Sequence, residues 1–392
     1  LSLCMALALC LGLLPATALA ADTEMDDWEE IVLPQEPELT DTWLGKDNQG
    51  NPYYDINWYD KDETEFALES AAELAGLAAL LLQNSNWQDV DAEMGRPSNF
   101  PGGNDLENLK KANITLSGDI DLSAHSWVPI ETFSGTFDGN ERTISGLSVT
   151  SGVTSYAGLF SYGSPTVKDV TLNKVYIVSN ESSAGGIIGD ARSNATIEGC
   201  KVSGTILYKG DDNVKYSVGG IAGEIGSKVS VSDCTFSGTV YSENNLNQNN
   251  GVGGIVGSTS GSTIENCTTA EGAKVCTGAT NINAGGIVGY VTNGSVKNCT
   301  NNGEIKTKTG SAAHGVGGIV GQMYLTAAAA SGDYGIQTCT NTGAITAAGS
   351  TSGGNIGGIL GLQGSDSQGF SITNCHNSGA ISLSGSTQCQ VG

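Results

Sequence analysis

Basic residues are scarce in this chain: 17 lysines and arginines stand against 41 acidic residues, a formal charge of −24 over 392 residues. A nucleic-acid surface needs a basic face, which this composition excludes, and the same deficit argues against docking on anionic lipid headgroups. Charge of either sign is sparse, 15% of residues where an ordinary globular chain has about 25%. The three histidines, His125, His314 and His376, fall at unrelated points, and no His-Glu-x-x-His run exists to hold a peptidase zinc. Cys-x-x-Cys pairs, mixed Cys/His metal spacings and tandem calcium-binding GGxGxD nonapeptides are also missing, so no cofactor and no metal are expected. The 56 glycines show no Gly-X-Y period, which excludes collagen. A hydrophobic share of 39% argues against simple disorder. After the first twenty residues no apolar run is long enough to cross a bilayer as a helix.

Those first twenty residues, Leu1 to Ala20, carry no charge, are mostly Leu and Ala, and end Ala18-Leu19-Ala20. Such a segment reads as a secretory signal peptide, so the protein is expected to be secreted or held at a cell surface, without lipid insertion after cleavage. The chain opens on Leu1 and stops at Gly392 inside a repeat, as expected of a piece of a longer protein. Acidity is concentrated at the front: residues 21–111 hold 22 acidic and 5 basic side chains, residues 112–392 hold 19 and 12. The expected organisation is an acidic, partly disordered segment at 21–57, a helix and insertion loop at 58–111, and a repetitive body at 112–392.

The body repeats one phrase. AGLF at 157–160 is followed by AGGIIG, VGGIAG, VGGIVG, AGGIVG, VGGIVG and IGGILG, with the first Gly of each pair at 185, 219, 253, 285, 317 and 357. Between them recurs an Ile- or Val-led phrase ending in Cys200, Cys234, Cys267, Cys299, Cys339 and Cys375. Steps of 32–40 residues mark a solenoid or array. Each unit holds short runs of period-2 alternation bounded by Gly, Asn, Ser and Thr, with no helical stripe. Three strands per turn suit a parallel β-helix of about nine coils spaced about 4.8 Å apart. A β-propeller would need longer, four-stranded units. The paired glycines permit close backbone approach or a bend at a corner. The six cysteines occupy one position of successive coils, as an inward ladder of small apolar thiols or as inter-coil disulfides; Cys276 and Cys389 fall outside it.

Ahead of the body, Trp58-Tyr59 and the AAELAGLA stretch suggest an amphipathic helix within 58–83, with Phe66, Leu68, Leu74, Leu77 and Leu81 on its apolar face, placed to cap the first coil. These residues, GDIDLS at 118–123, Trp127-Val128-Pro129-Ile130, FSGTFDGNERTISGL at 133–147 and the GGI-x-G phrases resemble GLUG-motif surface proteins over roughly 58–392. The resemblance implies an exported, right-handed parallel β-helix of a bacterial cell surface. Some such proteins are adhesin-like, and some are related to the amino-terminal region of immunoglobulin-A peptidases. The segment Asn84 to Lys111 is longer than that family's pattern.

For chemistry, the most suggestive pair is Asp190 and Glu224, each directly after the last Gly of its phrase and one coil apart. That spacing is near the carboxylate separation of retaining glycosidases. The matching positions, Ser258, Tyr290, Gln322 and Leu362, show that this register tolerates many residue types, so no catalytic residue is assigned. Asp119, Asp121 and Asp138 suit turn hydrogen bonding. Ligand-binding candidates are the aromatics Trp43, Tyr53, Tyr54, Trp58, Tyr59 and Trp87, together with the loops at 209–217 and 242–250. The expected function is a non-catalytic, adhesin-like binding module or rigid spacer whose partners are host or extracellular glycans or proteins. The alternative is a carbohydrate-active β-helix enzyme, a polysaccharide lyase or glycoside hydrolase.

The stacking makes a direct prediction: Ile287→Asp or Ile319→Asp buries an unpaired charge and should destabilise the protein by more than about 3 kcal/mol. Loss of the circular-dichroism melt seen in the parent is the expected result. Unchanged melting would show that these side chains do not face a core.

Overall fold

The computed structural model describes residues 32–82, 101, 103–150, 156–211, 215–246, 249–278, 281–309, 314–326, 334–349, 354–364, 370–384 and 389–391. The signal-like segment, Cys4, Cys10, the acidic residues up to 31 and Trp87 lie outside the described residues.

The chain is a parallel β-helix. Among the described residues the strands form four sheets of ten, seven, seven and fifteen members, each strand pairing in parallel with its counterpart one coil away. One coil shows the pattern. Ala184–Gly185 joins one seven-stranded sheet, a corner at Gly186 and Ile187 follows, and Ile188–Ala191 joins the other. Thr196–Glu198 then enters the ten-stranded sheet and Lys201–Tyr208 the fifteen-stranded one. A coil thus contributes to four sheets where three strands per turn were expected. The reason is that the GGI phrase spans a corner and splits what reads as one apolar run into two short strands.

Space explains the glycines at this corner. In the coil at 284–289, a Cβ on Gly285 would fall 1.9 Å from the Val288 carbonyl oxygen, and one on Gly286 would fall 2.2 Å from that of Gly318. A Cβ on Gly289 would sit 2.5 Å from the Val252 nitrogen. Backbone packs directly on backbone both within a coil and between coils, so any side chain forces the layers apart.

The core is built of columns. In the ten-stranded sheet Phe66, Ile114, Phe137, Val167, Ile197, Val231, Ile264, Val296, Ile336 and Ile372 are in register. All but Ile372 are buried. Ile287 and Ile319 are fully buried as well. In each coil the residue before the ladder cysteine is left-handed: Gly199, Asp233, Asn266, Asn298, Thr338 and Asn374 have φ between 52° and 64°. Gly, Asn and Asp tolerate this region, and the turn re-aims the chain into the next sheet.

The cysteine ladder is present as free thiols. Cys200, Cys234, Cys267, Cys299 and Cys339 are buried, and Cys375 is half-buried. Each thiol points at a carbonyl of the preceding coil, for example Cys234 to Ile197 at 3.8 Å and Cys339 to Val296 at 3.5 Å. Beside it runs an amide ladder, Asn301 donating to Asn341 at 2.8 Å and Asn341 to Asn377 at 2.7 Å.

The front end differs from the expectation in three ways. Phe66 and Leu68 belong to a strand, Glu65–Leu68, which pairs with Asn113–Leu116 and adds a level before the helix. The helix is the shorter Ala71–Leu81, opened by a capping box between Ser70 and Glu73. It is also not amphipathic, since every residue from Leu74 to Leu81 is buried. Its second face is covered by the preceding segment: Trp43, Tyr54 and Ile56 join the same apolar cluster, and the Asp55 carbonyl lies directly over Gly76.

Thr338 is the one β-branched residue among the left-handed corners before the ladder cysteines. Thr338→Asn should relieve about 1 kcal/mol of backbone strain and raise the urea midpoint. The same exchange in reverse, Asn298→Thr, should lower it by a similar amount.

Candidate functional site

The front-end aromatics pack mainly on one another and on the first coils. Trp43 donates its indole N–H to the Leu122 carbonyl at 3.1 Å, and Tyr53 stacks on His125 with ring centres 4.0 Å apart. Tyr54 is buried. Trp58 donates to the Asp55 carbonyl at 2.8 Å and meets Phe66 edge-on, and Tyr59 donates to the Asp105 carbonyl beside the same ring. These residues form two clusters, Trp43–Tyr53–His125 and Trp58–Tyr59–Phe66. Asp121 and Asp138 accept backbone N–H bonds from Ser123 and Asn140, two residues on, at 2.9 and 2.8 Å and so form turns. Asp119 instead accepts from Thr143 of the next coil at 2.9 Å and ties two levels together.

Polar side chains converge instead on the seven-stranded sheet that follows the GGI corner. Successive strands place Tyr162, Asp190, Glu224, Ser258, Tyr290, Gln322 and Leu362 in one column. Two residues further along, Ser260, Thr292 and Tyr324 form a second column. The sheet spacing of about 4.8 Å fixes the interval between neighbours. The two columns are coplanar only because the glycine corner stacks identically in every coil.

At one end of this face sit the carboxylates. The Arg192 guanidinium bridges Asp190 at 2.6 Å and lies 5.7 Å from the ring centres of both Tyr156 and Tyr162. Burial pushes the Asp190 carboxyl above the usual range, while Arg192 and a hydrogen bond from Tyr156 pull the other way. Burial, reinforced by the neighbouring Asp190, likewise raises Glu224. Asp190 is only 6% exposed. The pair predicted from the sequence is thus brought into register, but its first member is sealed and its charge is already committed to Arg192.

Past Glu224 the face opens into a cavity of about 540 Å³. Its wall includes Glu224, Ser258, Tyr290, Gln322 and Tyr324, with Asn249 reaching in from the loop at 242–250. Tyr290 donates its hydroxyl to the Asn249 side-chain oxygen at 3.2 Å, tying that loop to the sheet. Ser258 accepts from Ser217 at 2.9 Å, and Asn250 donates to Ser217 at 2.8 Å. Tyr290, Gln322 and Tyr324 were not singled out as a binding site in the sequence. The signal was available in the 32-residue steps between the phrases, because positions in step share one face.

The GLUG-motif family model matches residues 248–271 and 280–306. The chain carries GLUG motifs. The matched stretches are the coils that supply Asn249, Ser258 and Tyr290, so the cavity is lined in part by GLUG residues themselves. The chain is also similar to a solved structure from Bacteroides ovatus, a "putative immunoglobulin A1 protease", at 17% identity and a TM-score of 0.50. The similarity covers 81% of this chain and 84% of that one, and at this identity it is a likeness of fold. No curated protein matches the chain.

The raised Glu224 carboxyl makes a prediction with a defined sign. A carboxyl whose folded pKa lies above its unfolded value costs stability at neutral pH, and that cost disappears as pH falls below the ordinary 4.5. Glu224→Gln should therefore raise the melting temperature at pH 7, with the gain shrinking towards zero near pH 4. Melts recorded across that range would expose a wrong assignment as a gain that does not change with pH.

Proposed function

We propose that this GLUG-repeat β-helix is an exported, non-catalytic binding module, adhesin-like in use, whose stacked coils hold a polar groove on a stiff rod. Export is supported by the uncharged, Ala-ended segment Leu1 to Ala20. The observation that carries the reading is the fate of the best acid pair. Asp190 is buried against Arg192 and two tyrosines, while its column continues as Ser258, Tyr290 and Gln322, groups suited to recognition and poor at bond cleavage. A general acid has to reach the leaving group, and a sealed, ion-paired carboxylate does not. Described parts of the loops at 209–217 and 242–250 also meet on this rod. They are tied to each other through Asn244, whose amide donates to the Gly210 carbonyl at 2.5 Å.

One observation favours the second reading, a carbohydrate-active enzyme. Asp190 and Glu224 are in register on adjacent strands, and both carboxyls are raised by burial. Spacing of about 5 Å with perturbed acidity is the arrangement of a retaining glycosidase. Incubating the protein with arrayed host and plant glycans separates the two. Retention without product is expected of the binding module. Turnover that vanishes in both Asp190→Ala and Glu224→Ala would replace it with the enzyme.

A further inference from the structure

We propose that the cavity lined by Tyr290, Gln322 and Tyr324 is a binding site for an uncharged oligosaccharide that crosses several coils. The inference rests on the binding-module reading and gives it a ligand class and a place. Four features of the site select that class.

The first is the donor set. Beyond Glu224 the polar lining is hydroxyl and amide: Ser258, Ser260, Thr292, Asn249 and Gln322. Groups of this kind donate and accept in all directions, as a ring of sugar hydroxyls requires, and the half-buried Tyr324 adds apolar ring surface for a sugar's C–H face. The second is charge. No Lys, Arg or His is among the lining residues, Glu224 stands at one end, and the whole chain carries −24. Sulfated, phosphorylated or uronic-acid ligands would meet repulsion without a compensating cation.

The third feature is unmet hydrogen bonding. Among the described residues the Gln322 side-chain oxygen has no partner, and Gln322 belongs to the column that lines the cavity. The likewise unpartnered Thr259 hydroxyl lies in the inward column with Ile225, Val291 and Met323. Polar atoms of a folded chain are almost always satisfied, so the unmet Gln322 acceptor on the cavity column is open to a donor from a ligand. The fourth concerns peptides. From Ile188–Ala191 to Val320–Tyr324 each strand of this sheet is paired on both sides, so no free edge is available for an added β-strand. Recognition there must run through side chains, and a peptide would leave its own backbone groups unpaired. The cavity volume falls in the range of small-ligand sites, about 300–1,000 Å³.

The test uses isothermal titration of the full chain with cellohexaose, xylohexaose, mannohexaose and maltohexaose, and with hexagalacturonic acid as the anionic counterpart. At least one neutral hexasaccharide should bind, and Tyr324→Ala and Gln322→Ala should each weaken it about tenfold or more. Tyr241→Ala, on the fifteen-stranded sheet away from the cavity, should leave binding unchanged. Matching melting curves for the variants would confirm that the losses are local. Three results would overturn the proposal: binding indifferent to Tyr324 and Gln322, preference for the uronic acid, or no binding by any neutral hexasaccharide. The first would leave the module a glycan binder with its site elsewhere. Retention of other glycans on the array would likewise keep the wider reading alive while this one fell.

Discussion

Backbone lying directly on backbone at the glycine corner is the constraint on which the molecule depends. Gly285, Gly286 and Gly289 each face a carbonyl or amide that a methyl group would strike. Because the corner admits one geometry, every coil begins its next strands from the same place. That sameness puts Ile over Val over Ile in the core, and it also puts Glu224, Ser258, Tyr290 and Gln322 in line on the surface. The core and the groove are two readouts of one steric rule. The hydrophobic effect supplies the driving force, but the glycines decide the register in which it acts.

Stacking also changes how polar residues behave in the interior. A lone buried asparagine would be costly, yet Asn301, Asn341 and Asn377 hand hydrogen bonds from one amide to the next. The buried cysteines do something similar with carbonyls of the coil before. Their side chains run in parallel along the seam, which suits a thiol filling a narrow slot. In the same column as Asn301 stand Val202, Phe236 and Thr269. The interior therefore passes from apolar to amide packing along the rod without any change in backbone course.

Much of this architecture was legible because periodicity in a solenoid is geometry. The 32- to 40-residue steps gave the parallel coils, the buried Ile287 and Ile319, the cysteine ladder and the register of Asp190 with Glu224. Two things were not legible. Glu65–Leu68 alternates over only four residues and adjoins a strong helix signal, so its pairing with Asn113–Leu116, across 48 residues, left no local trace. The helix Ala71–Leu81 shows a polar face only at its first turn, and nothing local announces that Asp55 folds back over Gly76. The cavity lay between these cases. Its residue types, Ser, Tyr, Gln and Asn, read one at a time as ordinary solvated turns, and only their alignment across coils distinguishes them.

The pairing of every strand with a neighbour one coil away bears on the order in which the polypeptide assembles. Contacts close over a few dozen residues however long the rod becomes, so loop-closure entropy does not grow with the number of coils. The strand at Glu65–Leu68 and the helix after it are synthesised before the other strands of the ten-stranded sheet, at one extremity of which the strand lies. Each newly made coil finds a finished edge to settle on, so the body can wind up from its amino end. The segment ahead of the helix waits for later mates: Trp43 for Leu122, 79 residues on, and Pro34 for Tyr176, 142 residues on.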